Sequence, residues 1–226
     1  MAWFAGILWY GWKMRNQVAH GVNQWSRVLF WQNCQKFALE IAKLMDNGDE
    51  NKGNDRLVSW KAPDVGWIKV NVDGSRYEAN CSTAIGGVLR DCCGNWIAGF
   101  ANSFGFTTIV TAEVRAIRDG LSLAQLLGYK KVEVESDSQV AVQLICQLDT
   151  ENHPLDNLLR ECRQLLKNNG EYTINHIFRE ANVVADAMAK KGHAMFGGEE
   201  LFSSPPTDIV HLVEGDIAGI QYARPG

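Results

Sequence analysis

The sequence predicts an α/β protein: a five-stranded mixed sheet flanked by helices, preceded by a helical extension. Three observations carry this reading. Residues 67–101 hold three runs in which apolar and polar residues alternate or cluster as in strands. An Ala- and Leu-rich stretch with helical character follows them. Beyond it, short strand and helix patterns alternate, giving the order β-β-β-α-β-α-α-β-α of a sheet with helices packed on it.

The elements follow in order. Residues 1–45 place Trp9, Trp12, Val18, Trp25, Leu29, Trp31, Phe37, Ile41 and Leu44 loosely at helical spacing without a proline, which predicts a tryptophan-rich extension of one or two amphipathic helices. Residues 46–59, with their DNGDENKGND run, offer almost nothing to bury and read as a polar linker. Trp67 to Val72 alternates with period two and runs into Asp73-Gly74, a strand ending in a turn. Ala84 to Arg90 and Trp96 to Ala101 complete an antiparallel meander. Thr111 to Leu127 predicts a helix capped by Thr111 and ended by Gly128. Val132 to Glu135 is a fourth strand, followed by a helix over 140–148. A helix over 155–167, a strand over 172–178 and a helix over 182–191 close the main domain, placed at 60–195. The tail, 196–226, carries Ser203-Ser204-Pro205-Pro206 and the apolar stretch Ile209 to Val213, with no role assigned.

Composition narrows the function classes. A net charge of −4 over 226 residues gives no general basic field, so any nucleic-acid contact must come from a local patch. The six cysteines contain no CxxC pair, and Cys92 and Cys93 are adjacent, which suits reduced, mostly buried thiols better than a zinc site or disulfide framework. The apolar stretch Met1 to Trp12 falls short of the roughly 20 residues a membrane span needs and lacks a basic flank. The expectation is an intracellular monomer without membrane attachment.

Four acidic residues sit at element ends: Asp73 after the first strand, Glu113 in the first turn of the first helix, Asp137 after the fourth strand, and Asp186 in the last helix. Singly, each has an ordinary explanation: a hairpin turn, a helix N-terminus, a helix cap, a solvated face. Together they converge, because a right-handed crossover places the fourth strand parallel to the first and ends both at one edge. Like charges about 4 Å apart repel by about 4 kcal/mol at an effective dielectric near 20. Two hard divalent ions, Mg²⁺ with Mn²⁺ able to substitute, relieve that repulsion and suit phosphodiester hydrolysis.

The motifs VNVDGS (70–75), GGVLRD (86–91), NWIAGF (95–100), TAEVRAIRDGLSLA (111–124), VEVESDS (132–138) and REANVVADAMAK (179–190) resemble the type 1 ribonuclease H-like domains of plants, of the non-LTR-retrotransposon-derived kind. The segment Trp9-Tyr10-Gly11-Trp12-Lys13-Met14-Arg15-Asn16 is similar to the tryptophan-rich stretch that precedes this domain in those proteins. The resemblance implies a ribonuclease H-like fold and cleavage of the RNA strand of RNA/DNA hybrids to 3′-hydroxyl and 5′-phosphate ends. It implies that Asp73 bridges two metal ions, Glu113 and Asp137 complete the shell of one, and Asp186 binds the other. Gly74, Ser138 and Gln139, beside the acids, are the candidates for reading the 2′-hydroxyl, and Arg179 is a candidate phosphate contact or else a partner of Glu180.

The sequence also departs from that pattern. Bacterial-type members carry a histidine on a loop before the last aspartate, whereas residues 177–182 hold none, and His176 reads as a structural residue of its strand. The basic, tryptophan-bearing protrusion is missing, so weak and salt-dependent affinity is expected. Lys130-Lys131 and Lys190-Lys191 read as solvated surface, and Phe104 and Phe106 as core. The rival from another class is a catalytically silent, domesticated module that binds nucleic acid or a protein. An exonuclease of the same fold is disfavoured, since Asp73-Gly74-Ser75 lacks an Asp-x-Glu pair.

Overall fold

The computed structural model describes residues 11, 12, 15, 56–77, 82–147, 153–168, 170–195 and 198–224. The chain divides into two compact units, residues 1–50 with 149–156 and residues 51–148 with 157–226. The second unit holds the elements that matter here; nearly all of the tryptophan-rich extension and most of the linker lie outside the described residues.

The elements are β1 (Arg56–Val58), β2 (Ile68–Arg76), β3 (Ser82–Arg90), β4 (Trp96–Phe106), α1 (Ile109–Leu126), β5 (Lys131–Ser136), α2 (Gln139–Cys146), α3 (Asp156–Asn168), β6 (Glu171–His176), a 3₁₀ turn (Arg179–Ala181), α4 (Val183–Gly192), β7 (Glu199–Phe202), α5 (Val210–Ile217) and β8 (Tyr222–Arg224). The main sheet has the order β6-β5-β2-β3-β4-β7, with β2, β5 and β6 mutually parallel and β2-β3-β4-β7 antiparallel. The mixed sheet and its helices are as the sequence predicts, but the strands number six rather than five. The additional strand is β7, from the tail, whose Leu201 pairs with Phe100 on β4 while Trp96 Nε1 donates to the Phe202 carbonyl at 3.1 Å.

Further described parts of the tail are also bound in. Ile209 and Val213 are buried with Val88, Ala101, Val184 and Met188, and β8 pairs antiparallel with β1, a strand within the stretch read as linker. Four free cysteines are described, of which only Cys162 is buried; Cys93 and Cys146 are exposed, contrary to the expectation of mostly buried thiols.

Two glycines set how closely helices approach the sheet. On one face, Val70 and Val72 of β2 pack under α1 at Gly120, where a Cβ would lie 2.8 Å from a methyl of each valine. On the other, α4 crosses β3 at Gly86, where a Cβ would lie 2.2 Å from the Ala189 nitrogen and 2.3 Å from the Met188 carbonyl carbon. Those neighbours are backbone atoms, which cannot yield without moving the helix. Gly86→Ala is predicted to lower the unfolding free energy by about 1–3 kcal/mol, the usual cost of overpacking. Urea denaturation measures it; an unchanged midpoint would contradict this packing.

Candidate metal centre

The parallel pairing of β2 with β5 aligns Val72 with Ser136, so Asp73 and Asp137 follow side by side. Strand β5 ends at Ser136, whereas β2 continues to Arg76 along β3, so Asp73-Gly74 lies within the strand and not in the expected turn. Glu113 reaches the two aspartates from α1. A Cβ on Gly74 would lie 2.7 Å from the Glu113 nitrogen and 2.9 Å from the Ala112 carbonyl carbon, so only glycine permits the helix this close. Asp73, Glu113 and Asp137 each place a carboxylate oxygen within 4.8 Å of the others.

Helix caps decide which of these carboxylates are available. The cap of α2 is Ser138, whose hydroxyl accepts from the Ala141 nitrogen at 3.3 Å, leaving the Asp137 carboxylate to the cluster. The cap of α1 is Thr108 rather than the expected Thr111; its hydroxyl accepts from the Thr111 nitrogen at 3.1 Å. Glu113 therefore lies in the second turn of α1, not the first, and the helix terminus does little to stabilise its charge.

Burial and mutual repulsion raise the affinity of this cluster for protons. Burial foremost, then Asp137 and Asp186, pushes the Asp73 carboxyl up to about 8. Glu113 is pushed well above the carboxylate range by burial and by Asp73 and Asp137, against the Gly74 backbone and Ser136, which favour its charged form. Asp137 is also raised, chiefly by burial, while a hydrogen bond with Asp73 and the charge of Arg179 pull the other way.

Asp186 stands apart from these three. Its Oδ2 accepts a 2.5 Å hydrogen bond from Lys190 Nζ and its Oδ1 lies 3.6 Å from Arg179 Nη2. It remains near enough to raise Asp73 and Asp137. The structure thus gathers three of the four predicted acids and holds the fourth in two ion pairs. Lys190 and Lys191, read as solvated surface, are both paired, Lys191 with Asp208 at 2.9 Å.

Residues 71–192, which include all four acids, match the family model described as reverse transcriptase-like. The chain belongs to this ribonuclease H-like family. An Arabidopsis thaliana protein named for ribonuclease H is 33% identical over 222 residues, 96% of this chain. The chain spans only 35% of that relative's length. Ribonuclease H1 of Halobacterium salinarum superposes with a TM-score of 0.51 at 28% identity, over 57% of this chain and 98% of its own. LC11 ribonuclease H1, solved in complex with an RNA/DNA hybrid, gives 0.50 at 25% identity over 55% of this chain and 94% of its own.

Around this ribonuclease H-like centre, three contacts are absent from the sequence reading. Ser136, fully buried, directs its hydroxyl toward Glu113 Oε2 at 3.5 Å and accepts from the Ser138 nitrogen at 3.1 Å. Asn182, also buried, donates from Nδ2 to the Val72 carbonyl at 2.9 Å and so ties the start of α4 to the residue before Asp73. His176, paired with Ser136 across β5 and β6, hydrogen-bonds the Asp137 backbone, which gives its structural role a direct bearing on the cluster. Strand register creates the Ser136 and His176 contacts and the packing of α4 on β2 creates that of Asn182, and none carried a local signal in the sequence. Of the remaining candidates, Gln139 is half-buried at the start of α2, and Arg179 is largely exposed. Phe106 is exposed rather than core, and Phe104 lies under the Arg115 guanidinium at 4.5 Å.

No helix among the described residues is long and apolar enough to cross a membrane.

The raised carboxyl of Asp73 fixes the sign of a pH effect. Its folded value of about 8 lies above its ordinary 3.8, so the folded state binds the extra proton. The stability this contributes is full below about 4 and is lost as pH rises through about 8. Asp73→Asn in metal-free buffer is therefore predicted to raise the Tm at pH 8 by several degrees, about 2–4 °C per kcal/mol for a chain of this size. Near pH 5 the difference should shrink. Calorimetry at both pH values checks this, and a variant less stable than wild type at pH 8 would contradict it.

Proposed function

We propose that this domain is a metal-dependent endonuclease that hydrolyses the RNA strand of RNA/DNA hybrids, leaving 3′-hydroxyl and 5′-phosphate ends. The observation that carries the reading is the convergence of Asp73, Glu113 and Asp137 within 4.8 Å, while the nearby cations Lys190 and Arg179 pair with Asp186. An all-carboxylate donor set suits a hard cation such as Mg²⁺ or Mn²⁺.

Asp73, Glu113 and Asp137 would hold one ion, and Asp73 with Asp186 a second. When bound, such ions supply the Lewis acidity that activates water and stabilises the departing oxyanion. The protein's own groups do the rest. Ser136 and the Gly74 backbone favour the charged form of Glu113 against the burial that raises it, and so ready it for a cation. His176 fixes the backbone that carries Asp137. Recruiting Asp186 requires Lys190 to release it, which then leaves an ammonium at the rim for a phosphate. Arg179, exposed beside the cluster, is placed to meet another phosphate oxygen.

RNA recognition falls to the start of α2. The Ser138 hydroxyl accepts from the helix and still has a proton to donate to a 2′-hydroxyl. Gln139, half-buried beside it, offers an amide for the same groove. Gly74 contributes through the close approach that brings Glu113 to the two aspartates.

A labelled hybrid incubated with the protein and Mg²⁺ or Mn²⁺ tests this reading. Cleavage confined to the RNA strand is expected, and Asp137→Asn should reduce it on the order of 10²–10³-fold, as loss of a preorganised charge at a reacting centre does. Binding of the hybrid without cleavage in either metal would replace the enzyme by a catalytically silent nucleic-acid-binding module.

A further inference from the structure

Residues 56–60 and 210–224 flank the family-matched stretch and are joined to it by a buried polar network. Arg90, 1% exposed, donates from Nη1 to Asp216 Oδ2 at 2.7 Å and from Nη2 to Asn71 Oδ1 at 2.7 Å. Its guanidinium lies 3.7 Å from the centre of the Trp60 ring, whose Nε1 donates to the same Asn71 oxygen at 2.9 Å. Asn71 Nδ2 in turn donates to Glu135 Oε2 at 2.8 Å. A buried network of this kind fixes its members because a half-satisfied one is costly. It anchors α5 through Asp216 and the approach to β2 through Trp60. The strands just outside these anchors, β1 and β8, pair with each other, Val58 opposite Tyr222.

The end of this assembly reaches the candidate metal centre. Strand β8 packs on the 3₁₀ turn Arg179–Ala181, and the Arg224 guanidinium stacks 3.8 Å from the centre of the Phe178 ring. Phe178 is the residue on which that turn begins, and Arg179 follows it. Phe178 also borders a cleft of about 620 Å³ shared with Trp60, Lys69 and His176. The ring also meets His176 edge-on with centroids 6.0 Å apart, so the Arg224 stack and His176 together restrain it.

We propose that Arg224, through its stack on Phe178, is a positioning residue that holds Arg179 beside the carboxylate cluster. The C-terminal segment then does more than extend the sheet: it sets the loop between β6 and α4. The activity readout of this inference rests on the nuclease reading above, so its test carries a second readout that does not.

The test compares wild type with Arg224→Ala, Arg224→Lys, Arg179→Ala and the Arg224→Ala/Arg179→Ala double variant, all as the full chain. Arg224 lies at the surface end of a short strand, so its alanine variant should keep its Tm within about 2 °C. Amide exchange across residues 178–182 should rise about tenfold in Arg224→Ala. In a cleaving protein, kcat/KM should fall about tenfold, the cost of a misplaced contact, with partial recovery in Arg224→Lys. If Arg224 works through Arg179, Arg224→Ala adds nothing in the Arg179→Ala background. Additive losses would mean that Arg224 touches the hybrid itself, and unchanged exchange would mean that the stack restrains nothing; either overturns the proposal. Should wild type fail to cleave, the nuclease reading falls and exchange alone decides: a rise in Arg224→Ala upholds the clamp, and no change removes it.

Discussion

Three carboxylates buried against one another are a burden that the rest of the domain is arranged to sustain. Asp73 and Glu113 are almost wholly buried, and Asp137 lies within 4.8 Å of both. Each such pair of charges opposes folding by a few kcal/mol at the effective dielectric of a protein, and the centre answers in metal-free form by taking up protons, Asp73 most clearly. A protein whose acids served only capping or solvation would leave them at the surface and apart.

The scaffold holds the acids together from both faces of the sheet. Gly74 admits α1 from one side and brings Glu113; Gly86, opposite Asp73 in the β2–β3 ladder, admits α4 from the other and brings Asp186 near. Asn182 fastens the start of α4 to β2, and Ser138 caps α2 so that Asp137 does not have to. In the proposed reaction Asp186 would be the adjustable member, since its partners Lys190 and Arg179 are both substantially exposed. Exposed ion pairs of this kind contribute little to stability, so exchanging them for a cation would cost the fold little.

Much of this was legible in the sequence, and what escaped has physical reasons. The order of strands and helices in the main domain followed from periodicity, and the adjacency of Asp73 and Asp137 followed from the handedness of the crossover. The sixth strand escaped because Glu199–Phe202 is four residues long and begins with two glutamates; it is a strand only because β4 offers an edge and Trp96 a hydrogen bond. The start of α1 was misplaced because both Thr108 and Thr111 can cap, and backbone geometry chooses Thr108. The pairing of Asp186 with Lys190 was present as an i, i+4 spacing, yet a doubled lysine resembles ordinary solvated surface. The contacts of Ser136, His176 and Asn182 depend on register and on packing across the sheet, which composition does not encode.

Whether the buried acids bind divalent cations decides their role, and direct titration of Mn²⁺ into the purified chain, followed by electron paramagnetic resonance near pH 8, tests this without any substrate. Saturable binding that is lost in Asp73→Asn is the predicted result. Binding that is absent in the wild type, or equal in the two proteins, would contradict it.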